Sequence, residues 1–196
     1  MTSAQDPDKE LIQKIQKGDG SAFNQLVLKY RNRVMGIASR MLGDRIEAED
    51  LAQDVFVKVY LALPKFQGEA LFTTWLYRIT ANSCLNRRRG SRAAIPASDR
   101  ADDPEPTLSD PSSNPHDLLE QKELKLALEK AIQSLPEGQR VVLILRDLQG
   151  LSYEAIADSL GLELGTVRSR LHRARLHVQS NIREKFSMDT RRSGGL

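Results

Sequence analysis

From Phe23 onward, apolar side chains recur at Leu26, Val27, Tyr30, Val34, Ile37, Ala38 and Met41. Steps of three and four place them on one stripe of a helix. Gly43 ends the pattern, and Asp44 with Glu47 then has the D-x-x-E spacing of a new helix start. Advancing about 100° per residue, Ala48, Leu51, Val55, Val59 and Leu63 share the inner face of that second helix. A third follows the Gly68 turn in "LFTTWLYRITANSCLNRRR", and "ELIQKI" supplies a short helix ahead of the first. After a polar interval the helical pattern resumes in "LLEQKELKLALEKAIQSL" and in a helix opened by Pro136. Ser152 caps a short helix with Glu154 in its first turn, Gly161 makes a turn, and a last helix starts near Leu164. Glu163 stands where Ser or Thr commonly caps such a helix. No apolar segment alternates between hairpin turns, so a sheet is not expected.

The interval between the two helical sets, residues 91–117, holds five of the eight prolines. Its acids Asp99, Asp102, Asp103, Glu105, Asp110 and Asp117 outnumber Arg92 and Arg100, six against two. With little to fill a core, it reads as a tether. The expected fold is all-α: two small helical domains joined by a flexible, acidic, proline-rich linker, the second carrying a helix-turn-helix. The boundaries read from the sequence are 1–8 for a disordered N-terminus, 9–90 and 118–185 for the domains, and 186–196 for a disordered tail.

Composition narrows the chemistry. Net charge is only +3 although the pI is near 9.1, so distribution matters more than the total. Cys84 is the single cysteine, which excludes an internal disulfide or a cysteine metal cluster, and His116, His172 and His177 form no metal set. No cofactor or metal is expected. Neither paired metal carboxylates nor a nucleophile–base set is present, so the chain does not read as an enzyme. The N-terminus "MTSAQDPDKE" has no apolar stretch for export, and the longest aliphatic run, "VVLIL", is far too short to span a bilayer. The expectation is a cytoplasmic chain with no membrane insertion.

Two helices carry unusual outer faces. In the last one, Val167, Leu171, Ala174 and Val178 form the buried stripe, and Arg168, Ser169, His172, Arg173 and Leu176 lie opposite, with Arg170 and Arg175 on the flanks. No acid occurs from Thr166 to Asn181. A solvated surface normally mixes signs, whereas an all-basic face after a helix-turn-helix turn suits guanine edges and phosphates. The helix after Asp44 presents Asp50, Gln53, Asp54, Val57 and Leu61 opposite its core. Aliphatics rimmed by carboxylates fit a protein-binding patch; the alternative is that Val57 and Leu61 pack on the "ELIQKI" helix. On the third helix, Trp75, Arg78 and Asn82 share a side, with Asn86, Arg87, Arg88 and Arg89 at its end: an aromatic to stack on, amides and arginines, a set that suits an unpaired strand. The arginine run also serves helix capping. Trp75, spaced with Phe72, Leu76 and Ile79, reads as core, and Cys84 as a small packed residue.

Together, "LPEGQRVVLILRDLQGLSYEAIADSLGLELGTVRSRLHRAR" resembles region four of bacterial sigma factors of the extracytoplasmic-function type. "GDGSAFNQLVLKYRNRV", "AEDLAQDVFVKVY" and "LFTTWLYRITANSCLNRRR" resemble, in order, region two of the same family. The resemblance spans nearly all of residues 10–180. It implies a protein that directs core RNA polymerase to promoter DNA. Region two would grip the polymerase clamp through the Asp50–Leu61 face and hold the unpaired minus-ten strand, with Phe66 of the "FQGEA" loop and Asn82 at a turned-out base. Region four would read the minus-thirty-five element through Arg168, Ser169, His172 and Arg173; relatives often have an aromatic or another bulky side chain where His172 stands. An anti-sigma factor is a further partner the family implies. The alternative function is an autonomous dimeric helix-turn-helix regulator, which would read a palindrome and need no handle for polymerase.

Overall fold

A computed structural model describes residues 6–94 and 115–193, with side chains described for 6–90 and 121–187. The described residues contain helices and turns and no strand. The first lobe comprises α1 (Lys9–Gln16), α2 (Gly20–Leu42), α3 (Arg45–Ala62), a 3-10 turn at Leu63–Lys65, and α4 (Phe72–Ala94). The second comprises α5 (Pro115–Gln133), α6 (Glu137–Leu143), a π-helical turn at Ile144–Leu148, α7 (Tyr153–Leu160) and α8 (Leu164–Ser193). The ends of the stretch read as a tether are thus helical at Ser91–Ala94 and from Pro115; residues 95–114 lie outside the described residues.

The predicted stripes are the core, except that Val27 of α2 is only half-buried. Leu26, Tyr30, Val34, Ile37, Ala38 and Met41 of α2 are buried against Ala48, Leu51, Val55 and Val59 of α3. Phe72, Leu76, Tyr77, Ala81 and Cys84 of α4 close the other side. Each fully buried Leu or Ile contributes about 1.5–3 kcal/mol, so the periodicity alone selects which faces meet. Local signals set the ends. The Asp44 carboxylate accepts from the Glu47 N–H at 2.8 Å, and Ser152 Oγ accepts from the Ala155 N–H at 3.1 Å. Gly43 ends α2 at φ 82°, a conformation that side-chain-bearing residues resist.

The N-terminus differs from expectation. Asp6 accepts from the Phe72 N–H at 2.6 Å, supplying the start of α4 with an acceptor from 66 residues away. Asp8 is fully buried, held by Lys29 Nζ at 2.5 Å and by the Tyr30 hydroxyl. Both desolvation and this carboxylate push the Tyr30 phenol upward from its ordinary pKa. Asp6 and Asp8 are fixed because they satisfy buried donors, a role invisible in a polar leader read by composition. At the other end α8 continues to Ser193, past the start of the predicted tail.

The lobes also pack on each other, and their buried residues form one contiguous apolar cluster. α5 and α6 meet α2, and α7 meets α4. Arg140, 4% exposed, donates to the carbonyls of Ile132 (3.1 Å), Leu135 (3.0 Å), Gln133 and, across the lobes, Met41 (2.9 Å). Gln133 Nε2 reaches the Ser39 and Arg40 carbonyls at 3.0 and 2.9 Å. These oxygens belong to the last turn of α2, where helix geometry leaves carbonyls short of partners; the Ser39 carbonyl also accepts from the Gly43 N–H at 2.8 Å.

Burial pushes the Cys84 thiol up to about 12. A thiolate is the reactive form, so the native chain should not react with a disulfide reagent at pH 8. One thiol per chain should appear only on denaturation; prompt reaction of native protein would contradict this packing.

Candidate nucleic-acid interface

In the second lobe, Gly161 at φ 63° turns the chain so that the Leu162 N–H meets the Ala157 carbonyl at 2.9 Å. The Glu163 carbonyl accepts from the Thr166 and Val167 N–H groups, starting α8 without a hydroxyl cap. Val167, Leu171 and Ala174 are buried, and Val178 packs against the same core. Arg168, Ser169, His172, Arg173 and Leu176 are exposed on the opposite side. Arg168 also helps to hold the Glu154 carboxyl below its ordinary pKa, after that residue's own backbone N–H and Ser152.

The flanking arginines behave differently. Arg175 grips Asp147 with both Nε (2.9 Å) and Nη2 (2.5 Å), and this bond raises its pKa. The π-helical turn brings Asp147 there, while Arg146 donates to the Leu151 carbonyl at 2.7 Å and lies 4.8 Å from the Tyr153 ring centre. The half-buried Arg170 lays its guanidinium over Gly138, where an added Cβ would stand 3.0 Å from Nη1. Residues placed by the sequence as phosphate clamps therefore face the protein's own α6 and turn, because their angles lie close to the buried stripe.

In the first lobe, Gln16 Nε2 holds the Leu63 and Phe66 carbonyls at 3.2 and 3.0 Å, fixing the loop before α4. A hollow of about 210 Å³ opens beside it, lined by Lys65, Phe66, Gly68, Glu69, Trp75 and Arg78 among others. The Phe66 and Trp75 ring centres are 5.0 Å apart. Trp75, read from sequence as core, packs against the core and also forms part of this wall; its position one turn before the exposed Arg78 was the available signal for the second role. Asn82 is half-buried and donates to the Ser159 carbonyl of α7 at 3.3 Å. Asn86 is exposed. Arg87 pairs with Asp54 at 2.9 Å, and Arg88 donates to the Met41 carbonyl at 2.7 Å. The arginine run does cap a helix, but the helix is α2 rather than its own.

On α3, Asp50, Gln53 and Asp54 are exposed, as are Val57 at 59% and Leu61 at 70%. Such exposure removes the alternative that Val57 and Leu61 pack on α1. With Phe23, Phe56 and Tyr60 they line a shallow, wholly apolar groove.

Residues 26–94 match the family model described as Sigma-70 region 2, and residues 125–178 that of Sigma-70, region 4. The chain is 42% identical over 176 residues to the RNA polymerase sigma-H factor of Pseudomonas aeruginosa, covering 87% of this chain and 91% of that protein. The chain belongs to the extracytoplasmic-function family of sigma factors. It is likewise 39% identical over 185 residues to the ECF RNA polymerase sigma-E factor of Escherichia coli, covering 92% of this chain and 96% of that one. Its fold is similar to sigma factor RpoE in complex with the anti-sigma factor NepR from Bartonella quintana (TM-score 0.65, 26% identity, 82% of this chain and 96% of that one). It is also similar to CnrH in complex with the cytosolic domain of CnrY (TM-score 0.62, 27% identity, 88% and 95%). Two sigma regions in order leave the dimeric-regulator alternative without support.

Among the described residues of this sigma factor, no three His, Cys, Asp or Glu side chains are placed to hold a metal, and no helix is long and apolar enough to cross a membrane. Sequence reasoning did not single out Gln16 or Asp147, which hold the Phe66 loop and Arg175.

The Asp147–Arg175 pair is partly exposed, so its coupling should be about 1 kcal/mol or less. A double-mutant cycle of Asp147→Ala and Arg175→Ala, followed by urea denaturation, measures it. Zero coupling would show that the pair does not brace α8.

Proposed function

We propose that this sigma factor acts by binding, without catalysis of its own, in the cytoplasm, where it joins core RNA polymerase and places it on promoter DNA. The exposed, acid-free face of α8 carries this reading. Arg168, Ser169, His172 and Arg173 enter the major groove of the minus-thirty-five element, where arginine forks match guanine edges. The Phe66–Trp75 wall and Arg78 receive a base turned out of the minus-ten strand, and Asn82 and Asn86 read or brace its neighbours. Core polymerase grips the α3 face at Asp50, Gln53, Val57 and Leu61, where an apolar groove with an acidic rim supplies both area and orientation. Arg87 and Arg88 act indirectly, by holding the end of α4 against α3 and α2. Arg170 and Arg175 orient α8 rather than clamp phosphate. An anti-sigma factor is the third partner, as in the complexes of the two structural relatives.

Arg168→Ala or Arg173→Ala should each cost about 1–3 kcal/mol of upstream-element binding and relax one base position. Transcription by reconstituted polymerase from a promoter library reads this; an equal loss across all upstream sequences would reduce these arginines to phosphate contacts. Asp50→Lys and Leu61→Asp should weaken capture by core polymerase at least tenfold with helicity intact. Asp54→Lys is a poorer test because it also breaks the Arg87 pair. Full capture by both Asp50→Lys and Leu61→Asp would remove the handle from α3.

A further inference from the structure

The sequence gives α4 no cap of its own. The leading N–H groups of a helix need acceptors from outside it, yet Leu71, the residue before α4, carries none on its side chain, and no acid lies in the first turn. The Phe72 N–H is met instead by Asp6 Oδ2 at 2.6 Å. A carboxylate at a helix N-terminus gains from the helix dipole as well as from the bond. Asp6 is itself held in place. Its Oδ1 accepts from the Asp8 N–H at 2.9 Å, and Asp8 is fully buried against Lys29 and Tyr30 of α2.

The same segment reaches the other side of the hollow. The Asp6 carbonyl accepts from the Lys9 N–H at 3.1 Å, so this stretch runs directly into α1, and Gln16 at the far end of α1 holds the Leu63 and Phe66 carbonyls. Residues 6–16 thus form a strap with one end on the first residue of α4 and the other on the Phe66 loop, anchored between by the buried Ile12 and Ile15. Ring packing follows the same route. Phe72, whose N–H Asp6 holds, has its ring centre 5.5 Å from that of Tyr30, 6.1 Å from Phe66 and 5.8 Å from Trp75. A shift of Phe72 is passed to both rings of the wall, because close-packed side chains do not move independently.

We propose that Asp6 is a positioning residue for the minus-ten strand: as a cap lent to α4 by another segment it fixes, with Gln16, the spacing of Phe66 and Trp75, and so sets which base the hollow accepts without touching DNA. The proposal rests on the assignment of a turned-out base to that hollow. A pocket distinguishes bases by its shape and by the edges it presents. A slackened wall therefore loses discrimination at one position, while contacts to phosphate, which carry no sequence information, persist.

Trp75 is the single tryptophan, so its emission in the full chain reports the wall directly. Asp6→Ala removes the acceptor, and Asp6→Asn keeps an oxygen for the Phe72 N–H. We expect Asp6→Ala to raise acrylamide quenching of Trp75 with helicity unchanged, and Asp6→Asn to restore the native value. With core polymerase, on a promoter library randomised through the minus-ten element, Asp6→Ala should lower the preference for one base at one position. The expected drop is up to roughly tenfold, the worth of one charge-assisted hydrogen bond. Gln16→Ala should lower the preference at that same position, Asp6→Asn should return it, and preferences in the upstream element should not change. Unchanged quenching, or a loss spread evenly over the minus-ten positions, overturns the positioning role. If Asp6→Ala loses helicity, Asp6→Glu, which keeps the charge and misplaces the acceptor, decides by the same two readouts. Phe66→Ala tells the two ideas apart. If it shifts a base preference that Asp6→Ala leaves alone, the strap does not set selectivity. If it shifts none, the hollow does not receive a base, and Trp75 quenching alone decides whether Asp6 holds the wall.

Discussion

A single buried guanidinium ties this molecule together. Arg140 opens toward four carbonyls: Ile132 and Gln133, which end α5, Leu135 just beyond it, and Met41 in the last turn of α2. Burying a cation is costly unless its donors are satisfied, and the planar fork of arginine is the side chain that can satisfy several acceptors at once. Its acceptors lie at or just past helix ends, where helix geometry leaves carbonyls short of partners. One residue thus caps two helices, sets the α5–α6 corner and gives the second lobe its seat on the first. The apolar cluster running through both lobes is continuous around that seat.

The same logic explains how the other arginines divide. On α8 a difference of position around the axis decides the outcome: Arg168 and Arg173, opposite the core, stay open, while Arg170 and Arg175, nearer the buried stripe, meet Gly138 and Asp147. At the end of α4, Arg87 and Arg88 lie within reach of an acid on α3 and a carbonyl on α2, and both are taken. Positive charge in the sequence is therefore of two kinds. Part of it organises helix ends, and the remainder is available to a polyanion. Mapping a nucleic-acid surface by counting basic residues would merge the two.

Core-filling and uncovered sides are also separated within α3. Its inner face fills the core through Ala48, Leu51, Val55 and Val59, while its outer face leaves Val57 and Leu61 uncovered beside Tyr60, 52% exposed. A helix able to expose aliphatics must draw its stability from the other side, and the fully buried Val55 and Val59 provide it. The hollow at Phe66 and Trp75 depends on similar support from outside, since Gln16 holds the loop and Asp6 holds the first turn of α4.

The chain's own order of residues determined the helices, their caps at Asp44 and Ser152, their stops at Gly43 and Gly161, and the faces that the core covers. It determined the open basic side of α8 and the uncovered side of α3 as well. All of these follow from a fixed rotation per residue and from bonds spanning three or four positions, so they are local. Only the tertiary structure decided which arginines remain free, that Trp75 walls a hollow, that Asp6 starts a distant helix, and that Asn82 rests against α7. Those outcomes depend on acceptors carried in from 28 to 99 positions away, and no periodicity encodes which distant oxygen arrives beside a given side chain.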